Sequence, residues 1–446
     1  MEPARSARVV GLARARSLSQ TDAVSRSPLL LLLVALLSSG TLQACSSERD
    51  PNAPPDIVLI LVDTLRRDHV SAYGADIETP NLQALADSGQ VFSNLQASYH
   101  QTTMSMGALF TGHTPSIESG EVGKPLGWEG RHWCGMVRFS AGDEDSCIPR
   151  GLTTLAESLR EAGYWTAGVV ANRLLFAPAG YEQGFVSWTE VGAERADLPQ
   201  QVLIAARRAQ RVNRALEPVL EDRPTAPAFV YVHFVDVHDY FDRGVSYREG
   251  VEEFDAQFGE TLDILDRAGL RDDAVIFVLS DHGENLGELH GVRKAHNHFG
   301  NPSYQPLLEI PLIVTPPLFD APERLLRSRE VAGLIRQAAG LSGDLVDEAG
   351  LLEEDEIFLS ERKYLTYRRG RFKTSFHRNK MGKWMLWDLE SDPGETENRI
   401  QDEREIAAAH LSRVQELVEQ LAAEGRGDGE LSEEDASRLR ALGYLQ

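Results

Sequence analysis

The sequence of 446 residues is long enough for one large domain and a smaller one, and its 42% apolar and 25% charged residues are typical of globular proteins. These values exclude a disordered or fibrous chain. The formal net charge of -23 argues against a nucleic acid as a partner, because phosphate backbones bind basic surfaces.

The first 44 residues have the layout of a bacterial export signal, in which basic residues precede an apolar run, here at 29–37. This run is shorter than the about 20 apolar residues of a membrane-spanning helix, so cleavage is predicted. Residues 42–45 resemble a lipobox, whose cysteine, here Cys45, carries the lipid in the mature protein. We therefore expect an exported, membrane-anchored lipoprotein of the cell envelope, periplasmic or on the outer surface, with residues 45–55 as a tether. A plain secretory signal with an incidental cysteine is the alternative.

The apolar run at 57–62 lacks polar alternation, which is expected of a strand buried on both faces of a parallel sheet. The same pattern recurs at residues 228–235, 274–280 and 310–315. Helical segments lie between these runs. One has Thr79 as a candidate N-cap before Pro80, and another has Thr154 and Glu157 spaced as a capping box. The alternation predicts an α/β fold with a mostly parallel sheet covered by helices on both faces.

Two cysteines, Cys134 and Cys147, remain after the lipobox. Outside the cytoplasm, two cysteines this close in sequence can bridge a loop. Two unpaired thiols are the alternative, and the sequence leaves both open.

The pattern changes after residue 320, where a charged stretch is followed by short alternating segments and a final helical one. Alternation and aromatic residues predict antiparallel strands in three segments, at 363–368, 371–377 and 383–389. A helix is predicted at 402–424. We therefore expect a catalytic domain at 56–320 and a small C-terminal α+β subdomain at 321–446.

Polar residues follow the apolar runs at the point where each predicted strand ends. Asp63 follows the first run, and Asp281 and His282 follow the run at 274–280. In open α/β sheets, functional groups gather at the carboxyl ends of the strands. This mixed set of oxygen and nitrogen ligands is suited to a divalent cation.

Several segments in order resemble the sulfatase family of the alkaline phosphatase superfamily, and the likeness covers nearly all of residues 56–446. Its principal segments are residues 56–74, 78–89, 108–115 and 279–291. The resemblance implies an alkaline phosphatase-like fold and one divalent metal ion held by Asp63, Asp281 and His282. It implies calcium first, although the histidine also allows manganese or zinc. It also places His238 near the leaving group, as a proton donor or anion contact.

The sequence departs from the family at the nucleophile. Members carry a cysteine or serine that is oxidised to formylglycine, followed by a proline and an arginine, whereas this chain has Thr102, Met104 and Met106 at these positions. Formylglycine is therefore excluded at Thr102, but a threonine hydroxyl could attack directly, as in phosphoryl-transferring relatives of the superfamily. Thr64 replaces the second carboxylate of the family's acidic pair, and Asn172 replaces a lysine.

The family's downstream lysine or histidine aligns poorly within residues 293–304. His298 is the preferred candidate for that position, with His296 and Lys294 behind it.

The resulting expectation is a metal-dependent hydrolase of sulfate or phosphate esters, with Thr102 as the candidate nucleophile and His238 and His298 as further catalytic residues. The substrate would be a sulfated or phosphorylated glycan, lipid or small molecule. The alternatives are a catalytically decayed anion-binding protein and a threonine-dependent phosphotransferase. A structural role is the least supported, because no repeats are present.

Overall fold

The computed structural model describes residues 54–116, 134–139, 146–195, 199–271, 274–290, 293–346 and 351–424. The predicted signal segment, Cys45 and the tether up to residue 53 lie outside the described residues. Within the described ranges, no helix is long and apolar enough to cross a membrane.

Fifteen strands lie in the described residues, and they are listed in chain order. They are β1 (Asp56–Val62), β2 (Gln90–Val91), β3 (Leu95–Gln96), β4 (Trp165–Val170), β5 (Ser187–Glu190), β6 (Ala228–Phe234), β7 (Ala274–Leu279), β8 (Leu286–His290), β9 (Arg293–His296), β10 (Leu312–Thr315), β11 (Leu326–Arg327), β12 (Glu356–Ser360), β13 (Tyr364–Arg369), β14 (Phe372–His377) and β15 (Met385–Asp388).

The α-helices of the described residues flank these strands. They are α1 (Pro80–Asp87), α2 (Thr102–Thr111), α3 (Leu155–Glu161), α4 (Gln200–Ala206), α5 (Ala209–Glu221), α6 (Tyr240–Arg243), α7 (Tyr247–Arg267), α8 (Gln305–Leu308), α9 (Val331–Ala338) and α10 (Arg404–Glu424).

The main sheet has seven strands in the order β2-β10-β7-β1-β6-β4-β5. Strand β1 lies at its centre, parallel to both β6 and β7. Alternate residues of β1 enter two separate cores, since Leu59 packs in one hydrophobic cluster and Val58 in the other. Both faces are therefore covered, which explains the unbroken apolar run and confirms the predicted α/β fold.

One predicted strand runs in the opposite direction. Strand β10 pairs antiparallel with β7, so the expectation of a parallel strand at 310–315 was wrong. The four-residue α8 is the only α-helix among the described residues between the two strands, and it is too short to be a crossover helix. Leu312, the first residue of β10, pairs with Leu279, the last residue of β7, so the chain re-enters the sheet at the edge where β7 ends.

Local capping agrees with the sequence at one helix and differs at another. Glu157 donates its N–H to Thr154 Oγ1 at 3.1 Å, which confirms the capping box of α3. The Thr79 side chain does not cap α1, because its hydroxyl accepts the N–H of Ser71 instead. The carboxylate of Asp255 on α7 binds the first N–H groups of α1 in its place.

The cysteines Cys134 and Cys147 form a disulfide, with their Cα atoms 4.9 Å apart. The bridged alternative is therefore the one that the structure contains.

The C-terminal region contains an antiparallel sheet in the order β12-β13-β14-β15, packed against α10. The three predicted strands and the final helix are confirmed. Strand β12 was hidden in the charged stretch because its Glu356 is fully buried, where it accepts hydrogen bonds from Tyr367 and Arg413. The separate C-terminal core contains residues from Leu351 onward, and the predicted boundary at 320 stays a prediction.

A buried ion pair links the C-terminal sheet to the first residue of α8. Lys373 and Glu395 are at most 1% exposed and form a salt bridge. The Lys373 ammonium also donates to Gln305 Oε1 at 2.7 Å, and Glu395 accepts the Gln305 N–H at 2.7 Å. Removing one partner from such a pair leaves an uncompensated buried charge.

We expect Lys373→Met to lower the free energy of unfolding by about 3–5 kcal/mol in urea denaturation. The double variant K373M/E395Q should recover much of this loss, because it removes the stranded charge and keeps an acceptor for Gln305. Equal stability of the single and double variants would contradict this account.

Candidate active site

Three buried side chains meet at the carboxyl ends of β1 and β7. Asp63 follows β1, and Asp281 and His282 follow β7. Because β1 and β7 are parallel neighbours, these residues lie side by side. One ligand atom from each residue lies within 4.8 Å of the others. The structure thus brings together the three residues predicted as metal ligands.

In each of the two carboxylates, one oxygen accepts hydrogen bonds and the other does not. Asp281 Oδ1 accepts the N–H groups of Thr64 at 3.1 Å and His282 at 2.9 Å. Asp63 Oδ2 accepts from Asn172 Nδ2 at 2.6 Å. Asp63 Oδ1 and Asp281 Oδ2 are buried without a donor among the described residues. Buried carboxylate oxygens rarely stay unpaired, so this donor set fits a cation.

His282 is held in the form that leaves a lone pair toward the two carboxylates. Its Nδ1 donates to the carbonyl of Gly283 at 2.9 Å, which assigns the proton to that nitrogen. Nε2 then faces Asp281 Oδ2 at 3.4 Å and Asp63 Oδ1 at 4.0 Å. A backbone carbonyl commonly orients metal-binding histidines in this way.

A second histidine supports Asp63 from the neighbouring strand. His233, on β6, lies with Nε2 3.3 Å from Asp63 Oδ2 and Nδ1 2.6 Å from the Tyr231 hydroxyl. Burial alone raises the pKa of Asp63, but the hydrogen bond of His233 and the charge of His238 hold that pKa below its usual range. Asp63 is therefore an anion at neutral pH.

The predicted nucleophile lies at the start of helix α2. Thr102 is the first residue of this ten-residue helix and is 6% exposed, with Oγ1 3.3 Å from His282 Nε2. Ser105 donates to the Asp281 carbonyl at 2.6 Å and so ties the helix to the end of β7. The N-terminus of a helix favours negative charge, which suits an ionised hydroxyl.

Two residues that depart from the family motif, Thr64 after β1 and Met106 in α2, bring no charge to the site. Thr64 has a φ of 62°, and its hydroxyl donates to the Asp63 carbonyl at 2.7 Å. Its backbone N–H, and no carboxylate, therefore faces Asp281. Met106 is fully buried in the hydrophobic core, so this helix position brings no charge to the site.

A cavity of about 350 Å³ opens above Thr102 and is lined by His238 and His298. His238 Nδ1 donates to Asp239 at 3.0 Å, and Arg207 also binds that carboxylate. Burial lowers the pKa of His238, but the hydrogen bond to Asp239 and the charge of Asp63 outweigh it and raise the pKa to about 9. His238 is therefore protonated near neutral pH.

The pKa of His298 is shifted in the opposite direction from that of His238. Its Nδ1 donates to Glu284 Oε2 at 3.0 Å, and its ring centroid lies 4.9 Å from that of His282 and 5.5 Å from that of His238. Burial lowers the pKa of His298 in spite of Glu284. The cavity therefore combines a protonated histidine with a neutral one.

The other two candidates for this position lie elsewhere. His296 and Lys294 are exposed on β9 and line a different groove. Of the three, only His298 lines the cavity above Thr102.

Sequence reasoning missed His100 and His233. His100 is 2% exposed, and burial lowers its pKa well below the usual value. A signal was present for His233, because it is the one histidine inside the four apolar runs. For His100 the sequence gives only its position two residues before Thr102.

The model of a family described as Sulfatase matches residues 55–324. Among curated proteins, the chain is 24% identical to an arylsulfatase of Klebsiella aerogenes over 234 residues, which are 46% of this chain and 47% of that protein. The match thus spans about half of the length of that relative.

Solved structures are similar over most of the chain. A putative sulfatase from Bacteroides thetaiotaomicron superposes with a TM-score of 0.63 at 15% identity, covering 82% of this chain and 92% of that one. A phosphonate monoester hydrolase of Agrobacterium radiobacter gives a TM-score of 0.58 at 17% identity, covering 85% and 98%. At these identities the likeness shows the fold alone.

The unpaired carboxylate oxygens lead to a prediction about metal binding. A divalent cation at 100 times its dissociation constant should stabilise the metal-free protein by about 2.7 kcal/mol, measured as a rise in Tm on adding Mn²⁺, Ca²⁺ or Zn²⁺. Asp281→Asn should lose this response. Without metal it should be at least as stable as the wild type, because it relieves repulsion between two buried carboxylates and keeps Oδ1 as an acceptor.

The exposed Asp222→Asn is the matched control, and it should respond to metal as the wild type does. The cation site is refuted if the wild type, freed of metal by a chelator, shows no metal-dependent Tm, or if D281N keeps the full response.

Proposed function

The chain belongs to the sulfatase family, and from this we propose that it is a metal-dependent hydrolase of sulfate or phosphate esters in which the Thr102 hydroxyl replaces formylglycine as the nucleophile. One observation carries this proposal: Thr102 Oγ1 lies 3.3 Å from His282 Nε2, beside the two unpaired carboxylate oxygens. The family relatives support an anionic ester as the substrate.

Asp63, Asp281 and His282 are the residues that would hold the cation. When bound, it would neutralise charge on the ester oxygens and lower the pKa of a nearby hydroxyl. The two carboxylates favour calcium, and the histidine nitrogen also allows manganese or zinc.

The chain's own residues divide the remaining work. The N-terminus of α2 favours negative charge on Thr102 Oγ1, so the hydroxyl loses its proton to solvent. The oxygen then attacks the sulfur or phosphorus and forms an ester with it as the bond to the departing oxygen breaks. His238, protonated near neutral pH, donates a proton to the departing oxygen. His298 holds its Nδ1 proton against Glu284, so its Nε2 is the atom that can accept a proton when water later releases the group from Thr102.

The missing family residues bear on the choice between sulfate and phosphate. A direct threonine nucleophile is the chemistry of phosphoryl-transferring relatives, so Thr102 favours a phosphate ester. An acceptor hydroxyl in place of water would make the protein a phosphotransferase.

A decayed enzyme that only binds the anion is the second candidate. It is favoured by the buried Met106 and by the side chain of Thr64, which is turned away from the cation site.

The location of the protein is part of the proposal. The export signal pattern of residues 1–44 and the lipobox at Cys45 support a lipoprotein of the bacterial cell envelope, with the catalytic region tethered outside the cytoplasm.

Thr102→Ala should lower kcat for p-nitrophenyl phosphate or p-nitrophenyl sulfate by about 1,000-fold or more, because no other group takes over from a lost nucleophile. Thr102→Ser, which keeps the hydroxyl, should retain much more activity. Both variants should still bind the metal. Unchanged hydrolysis by T102A would reject Thr102 as the nucleophile, and a metal-loaded wild type inactive on every ester tested would favour the anion-binding alternative.

The protonated state of His238 gives a pH prediction. As a proton donor, His238 must be charged, so kcat/KM should fall as the pH rises through its pKa, about 9, or lower when a cation adds positive charge nearby. His238→Asn should reduce kcat/KM about 100-fold and flatten this basic limb. A variant that keeps the same basic limb would show that another group supplies the proton.

A further inference from the structure

Four lysines line one groove between the strand pair β8–β9 and the C-terminal sheet. The chain has only six lysines among its 446 residues. Four of them, Lys294, Lys363, Lys380 and Lys383, line this groove of about 740 Å³, which we call the lysine groove. In a chain with 68 Asp and Glu, none of the lining residues is acidic. The groove is therefore a local positive site on an acidic protein.

The charges of these lysines are not neutralised inside the protein. Lys294, Lys363 and Lys380 are exposed, and none of the four forms an ion pair with a described carboxylate. Burial and the charges of Lys383, Lys380 and Lys363 lower the pKa of His377 on β14, so these ammonium groups act on one region. Unpaired lysines that converge in this way favour an anionic ligand.

The floor of the groove has polar atoms without partners. Asn285 is 2% exposed and His290 is 5% exposed. Asn285 Oδ1 and Asn301 Nδ2 lack a hydrogen-bond partner among the described residues, whereas His290 Nδ1 lies 3.9 Å from Glu395 Oε2. The groove lining thus includes amide and imidazole side chains as well as lysines, which suits a ligand that itself carries hydrogen-bonding groups.

Aromatic side chains alternate with the lysines along the walls. Trp384 and Tyr364 are half-buried, and Phe299 is 58% exposed. Flat apolar rings beside hydrogen-bonding groups suit sugar rings, which have apolar C–H faces and polar edges. The concave shape suits a chain that lies within it, whereas a membrane surface would require a convex patch.

The lysine groove adjoins the catalytic cavity. Phe299 lines both spaces, and it directly follows His298 of the cavity. One extended molecule can therefore occupy the cavity with an ester and the groove with its next units.

We propose that the lysine groove binds the continuation of an anionic oligosaccharide whose ester lies in the catalytic cavity. This inference rests on the proposed function for the role of the cavity, but the binding step is independent of turnover. It makes the substrate an extended polyanionic glycan instead of a small ester or a lipid.

The test measures binding of a fluorescently labelled dextran sulfate oligosaccharide by anisotropy. The triple variant K363Q/K380Q/K383Q should raise the dissociation constant about tenfold or more and make binding less dependent on salt. The variant R160Q/R211Q/R214Q is the matched control, because it removes three exposed positive charges elsewhere on the chain, and it should bind like the wild type. Hydrolysis of a small p-nitrophenyl ester should be unchanged in both triple variants.

The outcomes separate this inference from the proposed function. T102A should lose ester hydrolysis and keep dextran sulfate binding, so each activity can fail alone. Equal loss of binding in the two triple variants would show nonspecific charge attraction and overturn the proposal. Wild-type binding to phosphatidylglycerol vesicles but not to dextran sulfate would overturn it in favour of a lipid, and equal binding to neutral dextran would remove the role of the lysines.

Discussion

Two carboxylates, Asp63 and Asp281, are buried side by side, and each has one oxygen without a hydrogen-bond donor. Two buried anions this close repel each other and have lost their hydration, so a positive charge is needed between them. The strand order imposes their position, because β1 and β7 are parallel neighbours that end at one edge. Asn172, which follows β4, and His233, on β6, hold the remaining oxygen of Asp63.

Two of the residues that depart from the family motif contact these two carboxylates through neutral hydrogen-bond donors. Thr64 provides an N–H for Asp281 instead of a third carboxylate, at the cost of a left-handed backbone in a β-branched residue. Asn172 donates a neutral hydrogen bond where the family has a lysine. The site therefore has fewer charges of both signs. In the proposed function, Thr102 replaces formylglycine, so no arginine is needed to hold that group.

Part of this site could be predicted from the sequence because it follows from local rules. Asp63, Asp281 and His282 directly follow apolar runs, and parallel strands bring such residues together. The position of Thr102 could be predicted by aligning the sequence with the family motif. The choice of His298 over His296 required the structure, which shows that only His298 lines the cavity. The direction of β10 and the lysine groove could not be predicted. They depend on where residues 280–311 return and on how β9 packs beside a sheet that begins more than 60 residues later.

The central claim is that a single cation lies between Asp63, Asp281 and His282 within reach of the Thr102 hydroxyl. Anomalous diffraction from crystals soaked with Mn²⁺ tests it most directly. The account predicts one strong peak about 2–2.6 Å from Asp63 Oδ1, Asp281 Oδ2 and His282 Nε2. Absence of a peak there, or a peak bound only by His238 and His298, would contradict the account.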